Sequence, residues 1–169
     1  ITFYNLDGDE IEKELKTVEW DAEAAEKAGY EHFMIKEIHE QPKAVSDTLN
    51  SVVKDGAIDL SEVGLSEEEI KEISQIYIVA CGSAYHVGVA AQYVMEDLAR
   101  IPVRVELASE FRYRNPILDP KGLVIIISQS GETADSLAAL RESKKQGVKT
   151  LGIVNVIGSV SYTHLRAHE

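Results

Sequence analysis

The second half of the chain alternates short apolar runs with amphipathic stretches. Ile76-Tyr77-Ile78-Val79-Ala80, Leu123-Val124-Ile125-Ile126-Ile127 and Leu151-Gly152-Ile153-Val154 are continuous apolar runs rich in β-branched residues, while Val103-Arg104-Val105-Glu106-Leu107 alternates. This pattern predicts strands near residues 76–80, 103–107, 123–127 and 150–155. Between them, Val87, Ala90, Ala91, Val94, Met95 and Leu98 fall on one face of a helix over 85–99. Ala134, Leu137, Ala138 and Arg141 trace a second helix over 133–146, with Gly147 where a C-terminal cap belongs. Apolar strands alternating with helices imply β-α-β units, hence a parallel sheet buried on both faces. Right-handed crossovers then give a doubly wound, three-layer α/β fold.

The first half reads differently. Residues 2–6 look like a short strand, Asp7-Gly8 is a hairpin turn signal, and a segment around Ile11 can pair back. Residues 16–30 are acidic and alanine-rich and read as a connector. From Glu31 the period turns helical through Ile35, Ile38, Val45, Leu49 and Val52. Pro42 interrupts that stripe and is expected to open a second helix at its first turn. Lys54-Asp55-Gly56 ends it, and Ser66 with Glu69 three residues on is a helix-start signal.

Composition narrows the function classes. A chain of 169 residues with 44% hydrophobic and 27% charged residues is globular in type and large enough to bury a core. The net charge of −12 disfavours nucleic acid and anionic membrane as partners, and neither is expected. It would also repel a phosphorylated ligand at long range, so a phosphate site here must work by local geometry. Cys81 is the one cysteine, which leaves no pair for a disulfide or zinc and fits a reducing, cytoplasmic setting. No apolar run reaches membrane-spanning length and no signal peptide is evident. The chain starts at Ile1 and reads as processed or as a piece of something longer.

Two strand–helix turns could carry chemistry: Cys81-Gly82-Ser83-Ala84-Tyr85 and Ser128-Gln129-Ser130-Gly131-Glu132-Thr133. In open α/β sheets, ligands bind beyond the carboxyl ends of the strands. Gly82 and Gly131 allow close backbone approach, and the helix starts that follow present N–H groups and partial positive charge suited to an anion. Ser128, Ser130 and Thr133 add hydroxyl donors and Gln129 an amide. Against this, Ser and Thr at helix starts are usually caps for their own backbone, and Glu132 and Asp135 bring negative charge to the same place. Nucleotide signatures are absent: neither turn has Gly-x-Gly-x-x-Gly or the Gly-Lys-Ser/Thr phosphate loop, and a Gly-x-Ser-x-Gly nucleophile elbow is also missing. Cys81 reads as a small core residue, and His32, His39, His86, His164 and His168 lack metal-ligand spacing. No catalytic residue, metal or cofactor is assigned. Phe111-Arg112-Tyr113-Arg114 reads as a solvated turn of helix with an aromatic anchor.

Four stretches resemble the glutamine–fructose-6-phosphate amidotransferase family in order and spacing. They are Lys36-Glu37-Ile38-His39-Glu40-Gln41-Pro42, Ala80-Cys81-Gly82-Ser83-Ala84-Tyr85-His86, Ala108-Ser109-Glu110-Phe111-Arg112-Tyr113-Arg114, and Ser128 through Asp135. Ser-Gln-Ser-Gly-Glu-Thr alone marks the wider sugar isomerase (SIS) fold. The resemblance implies residues 1–15 as the tail of an upstream glutaminase domain, 16–30 as linker, 31–159 as a truncated first SIS domain, and 160–169 as an atypical tail. It further implies that Ser83, Ser128, Gln129, Ser130 and Thr133 hold a sugar phosphate, fructose 6-phosphate or glucosamine 6-phosphate, with Gly82 and Gly131 supporting the loops. Ala84 departs from the Thr-Ser often found after Cys-Gly in the family, so no side-chain role is carried onto it. The family's acid–base glutamate, ring-opening histidine and terminal lysine fall beyond Ser159, so the chain itself is expected to be inactive. The parent enzyme would be a cytoplasmic homodimer. A free-standing SIS isomerase and a phosphosugar-sensing regulator remain as alternatives.

Overall fold

Strand order is the decisive feature of the architecture. The computed structural model describes residues 2–12, 26–60 and 63–156; most of the expected connector and the tail at 160–169 lie outside them. The chain divides into two compact units, Ile1–Asp59 and Leu60–Glu169.

In the first unit, β1 (Phe3–Tyr4) and β2 (Glu10–Ile11) pair antiparallel around the Asp7-Gly8 turn. Asn5 Oδ1 accepts the N–H groups of Asp7 at 3.0 Å and Asp9 at 2.8 Å, which closes that turn. Helix α1 (Phe33–Val52) runs without a break through Pro42. The expected second helix does not start there. Proline's fixed φ is helical, and the one N–H it withholds frees a carbonyl on an exposed helix, where water can satisfy it. Lys36 is the exception to α1's exposure, buried with its Nζ donating to the Glu26 carbonyl at 2.5 Å. Ile35, Ile38, Val45 and Leu49, the apolar stripe read from the sequence, are exposed. Lys54-Asp55-Gly56 does more than stop the helix. Asp55 and Gly56 both take positive φ, and they turn β3 (Val53–Lys54) into β4 (Ala57–Ile58) as a small hairpin. The Asp-Gly pair is a known turn former for this geometry.

The second unit opens on α2 (Glu67–Lys71), held by a complete capping box between Ser66 and Glu69. Four strands follow: β5 (Gln75–Ala80), β6 (Val103–Leu107), β7 (Gly122–Ser128) and β8 (Lys149–Val154). All neighbours are parallel, in the order β6-β5-β7-β8. Three helices join them: α3 (Gly82–Ala99), α4 (Ala108–Tyr113) and α5 (Ala134–Lys145). The chain thus leaves β5 toward one side, returns past it, and continues outward on the other.

The alternation of side chains along each strand sorts the core into two faces. Tyr77, Val79, Val124 and Ile126 pack with Ala108 and Phe111 of α4 and Ala139 and Leu140 of α5. Ile76, Ile78, Val103, Leu123 and Ile125 pack with Ala91 and Met95 of α3 and with Leu65 and Ile73. Each fully buried large apolar side chain contributes about 1.5–3 kcal/mol.

Two helix faces differ from the periodicity reading. In α3 the face turned to the sheet is Gly88, Ala91, Gln92 and Met95, whereas Val87, Val94 and Leu98 are exposed. Gly88 sets this orientation: a Cβ there would lie 2.8 Å from Ile78 Cγ2 and 3.0 Å from Val105 Cγ1, so the helix sits close only because that atom is missing. In α5 the buried residues are Ser136, Leu137, Ala139, Leu140 and Ser143, while Ala134 and Arg141 are exposed. Small hydroxyls fill the tight positions; Ser143 Oγ donates to the Ala139 carbonyl at 2.8 Å. The C-terminus closes around Gly147, whose N–H bonds the Lys144 carbonyl while that of Val148 bonds the Ser143 carbonyl, a Schellman pair.

Candidate functional site

The strand order switches at the carboxyl ends of β5 and β7, the place where open α/β sheets form their ligand crevice. There the connection from β5 leaves toward β6 while that from β7 leaves toward β8. Both hydroxyl-rich turns lie at this edge. The register pairs Ala80 with Ile127, so Cys81 and Ser128 leave the sheet side by side.

Ser83 lies in the first turn of α3, which begins at Gly82, and its side chain is exposed. Gly82 has φ +56 and open space at its missing Cβ. Cys81 is the α3 N-cap and makes no side-chain capping bond. It is half-buried and packs against the core face that holds α4 and α5. Its Sγ lies 4.0 Å from the Oγ of Ser136 in the first turn of α5, a direct contact between the two loops.

The second loop is organised by its own hydroxyls. Ser128, buried at the end of β7, accepts the Gly131 N–H at 3.0 Å and lies 3.4 Å from the Thr133 hydroxyl. Ser130 accepts the Glu132 N–H at 3.2 Å. Gly131 is buried with φ +66, a backbone state that a side chain would strain. Gln129 is exposed, and Thr133 is the N-cap of α5.

A serine hydroxyl that accepts a backbone N–H still has its proton to donate. Ser130 therefore shapes the loop and keeps its donor, while one proton of the Ser128–Thr133 pair lies between their two hydroxyls. Thr133 goes further: as N-cap of α5 it makes no side-chain capping bond, in contrast with Ser66, whose Oγ takes the Glu69 N–H at 3.2 Å. A helix of this length leaves its first N–H groups without intrahelical partners. The edge thus gathers hydroxyl donors, an amide and a helix N-terminus, a set able to bind an anion through many short-range donors.

Of the flanking residues, Phe111 is fully buried, as an aromatic anchor should be, and Arg112, Tyr113 and Arg114 are exposed. Arg114 makes a two-pronged contact with Glu106, Nε to Oε2 at 2.8 Å and Nη2 to Oε1 at 2.5 Å. The contact of Cys81 with Ser136, and the fact that the two turns share one sheet edge, depend on strand order, which periodicity does not encode. Among the described residues, no cluster of three or more His, Cys, Asp or Glu side chains could hold a metal ion, and no helix is long and apolar enough to cross a membrane.

A parallel α/β sheet with a Ser-Gln-Ser-Gly-Glu-Thr turn at its switch point defines a domain of the sugar isomerase type. The chain belongs to the SIS domain family, whose profile matches residues 69–165. Its sequence is 56% identical over 160 residues, 94% of the chain, to a glutamine–fructose-6-phosphate aminotransferase [isomerizing] of Clostridium acetobutylicum. It is 56% identical over 142 residues to the same enzyme of Mycobacterium tuberculosis. The chain spans about a quarter of these relatives, 26% of the former and 23% of the latter. Among solved structures, it resembles the C-terminal domain of glucosamine-fructose-6-phosphate aminotransferase from Francisella tularensis, with TM-score 0.75 and 44% identity, covering 82% of this chain and 39% of that one. A glucosamine-6-phosphate deaminase from Thermotoga maritima follows the fold with TM-score 0.52 and 26% identity over 57% of this chain and 31% of that one.

Proposed function

We propose that this chain is the first sugar-phosphate-binding half of the isomerase region of a glutamine–fructose-6-phosphate aminotransferase. That enzyme uses glutamine and fructose 6-phosphate to make glucosamine 6-phosphate. In this reading Ser128, Gln129, Ser130 and Thr133 hold the phosphate of fructose 6-phosphate or glucosamine 6-phosphate, and Ser83 lies beside the sugar. Gly82 and Gly131 let the backbone come close. The observation that carries the reading is the capping state of Thr133: its hydroxyl is not engaged in capping α5. Extensive identity to enzymes of that name supports it independently. Residues 1–15 then correspond to the tail of an upstream glutaminase domain, and the parent enzyme works as a cytoplasmic homodimer. The chain as it stands binds phosphosugar and performs no turnover.

Affinity comes from hydrogen bonds to a charged phosphate, each contributing roughly 1.5–3 kcal/mol. A chemical-shift titration with fructose 6-phosphate should perturb the Ser128–Thr133 loop and Ser83. Ser130→Ala should weaken binding by about tenfold or more, while Lys145→Ala at the far end of α5 should leave it unchanged. Binding that survives Ser130→Ala, or an equal response to unphosphorylated fructose, would reduce these hydroxyls to loop and helix caps. Turnover of fructose 6-phosphate by the pure chain would overturn the assignment of chemistry to other parts of the enzyme.

A further inference from the structure

The proposed phosphate loop has a charge problem. Asp135 stands in the first turn of α5, where the helix N–H groups would face the anion. A carboxylate there competes with a phosphate for the same partial positive charge. The protein as a whole, at net charge −12, supplies no compensating field. Glu132, the loop's other carboxylate, is exposed.

Arg112 directs a cation at Asp135. Nη1 of Arg112 lies 2.8 Å from its Oδ1, and each side chain keeps 34% of its exposure. Arg112 belongs to α4, which is fixed to the sheet by the fully buried Ala108 and Phe111. Its guanidinium also lies 4.7 Å from the centre of the Tyr113 ring, a contact that restrains the long side chain. Arg114, the nearest other arginine in sequence, is directed at Glu106 instead. The pair spans 23 residues and ties the helix after β6 to the helix after β7 at the binding edge.

We propose that Arg112 is a positioning residue of the phosphosugar site, acting through Asp135: it neutralises that carboxylate at the N-terminus of α5 and fixes the first turn against α4, without touching the ligand. This rests on the phosphosugar reading of the loop. Asp135 alone would favour the helix and oppose the ligand. Paired with Arg112, it keeps its place in the helix and loses most of its repulsion for a dianion.

The test separates charge from mere stapling. Fructose 6-phosphate is titrated into the chain and into Arg112→Gln, Asp135→Asn and the double variant, at low and high salt, with urea midpoints recorded for each. Arg112→Gln should weaken binding by about two- to fivefold, the scale of a surface ion pair, and the loss should shrink as salt rises. Asp135→Asn should bind at least as tightly as the unaltered chain, and the double variant should recover most of the loss. Arg112→Lys, which keeps the charge, should stay near the unaltered affinity. Equal weakening in both single variants and the double variant would mean that the pair is only a staple and would overturn the inference, as would an unchanged affinity in Arg112→Gln. If Arg112→Gln does not fold, weakened binding by Asp135→Asn alone is enough to overturn it. Failure of the unaltered chain to bind fructose 6-phosphate would instead remove the phosphosugar reading beneath it.

Discussion

The Sγ of Cys81 and the Oγ of Ser136 meet at 4.0 Å across 55 residues of sequence, joining the turn after β5 to the first turn of α5. Both groups are small, and Ser136 is almost completely buried. The separation of the two loops is therefore set by how little volume stands between them. Ser136→Leu should destabilise the chain by about 1–3 kcal/mol through overpacking and weaken fructose 6-phosphate binding. Ser136→Ala should change both far less. Urea denaturation and the same ligand titration on both variants check this; a Leu variant of unaltered affinity would show that the loops are spaced by something else.

Gly88 governs the approach of α3 to β5 and β6. An alanine Cβ would meet Ile78 Cγ2 at 2.8 Å, and Ile78 is itself buried in the sheet face. Although alanine is the better helix former by about 1 kcal/mol, the clash should win. Gly88→Ala is expected to lower stability by about 1–3 kcal/mol net, read as a lower urea midpoint at constant slope. A gain in stability would mean that the helix can lift without loss.

Tyr77 secures the opposite end of the sheet. Its ring is buried, and its hydroxyl accepts the Asp119 N–H at 3.0 Å while donating to Gln75 Oε1 at 3.1 Å. Tyr77→Phe keeps the packing and strands the Asp119 N–H. A cost of roughly 1 kcal/mol follows from an unmet, partly buried donor. Hydrogen exchange at Asp119 should accelerate; unchanged protection would argue that the Tyr77 hydroxyl is not what protects that N–H.

Glu69 joins its own capping box to Lys149 on β8. The hydrogen bond from Lys149, then that from the Ser66 backbone, holds its carboxyl below the ordinary value of 4.5. A depressed carboxylate stabilises the fold above its unfolded pKa, and that contribution fades as pH falls through 4.5 and then through the lower folded value. Lys149→Gln should raise the Glu69 titration midpoint and flatten the acid limb of the stability profile. Carboxyl-carbon chemical shifts followed against pH give the midpoint directly; a midpoint indifferent to Lys149→Gln would leave only the cap as the cause.

Much of this protein was determined by sequence alone. Strand runs at Ile76, Val103, Leu123 and Leu151 each became a strand within a residue or two; the two central strands, buried on both faces, carry the continuous β-branched apolar runs, while the edge strand at Val103 alternates. The Ser66–Glu69 box and the Gly147 terminus are local hydrogen-bond patterns with a local residue code, and both formed. The four motif stretches also identified the relatives, since residue order and spacing are properties of the chain itself.

Tertiary structure decided the rest, for reasons of contact that periodicity cannot carry. Apolar residues lie on more than one side of α3, so only the missing Cβ of Gly88 and its approach to Ile78 selected the buried face. On α5, Ser136 and Ser143 are buried and Arg141 is exposed, because close packing favours small volume over hydrophobicity. Pro42 stayed inside α1, since a single missing N–H is a tolerable loss on an exposed helix. Whether Arg112 would find Asp135 depended on the order β6-β5-β7-β8. That order brings residues distant in sequence to one edge through long-range strand pairing, which hydrophobic periodicity records for each strand separately and never for their arrangement.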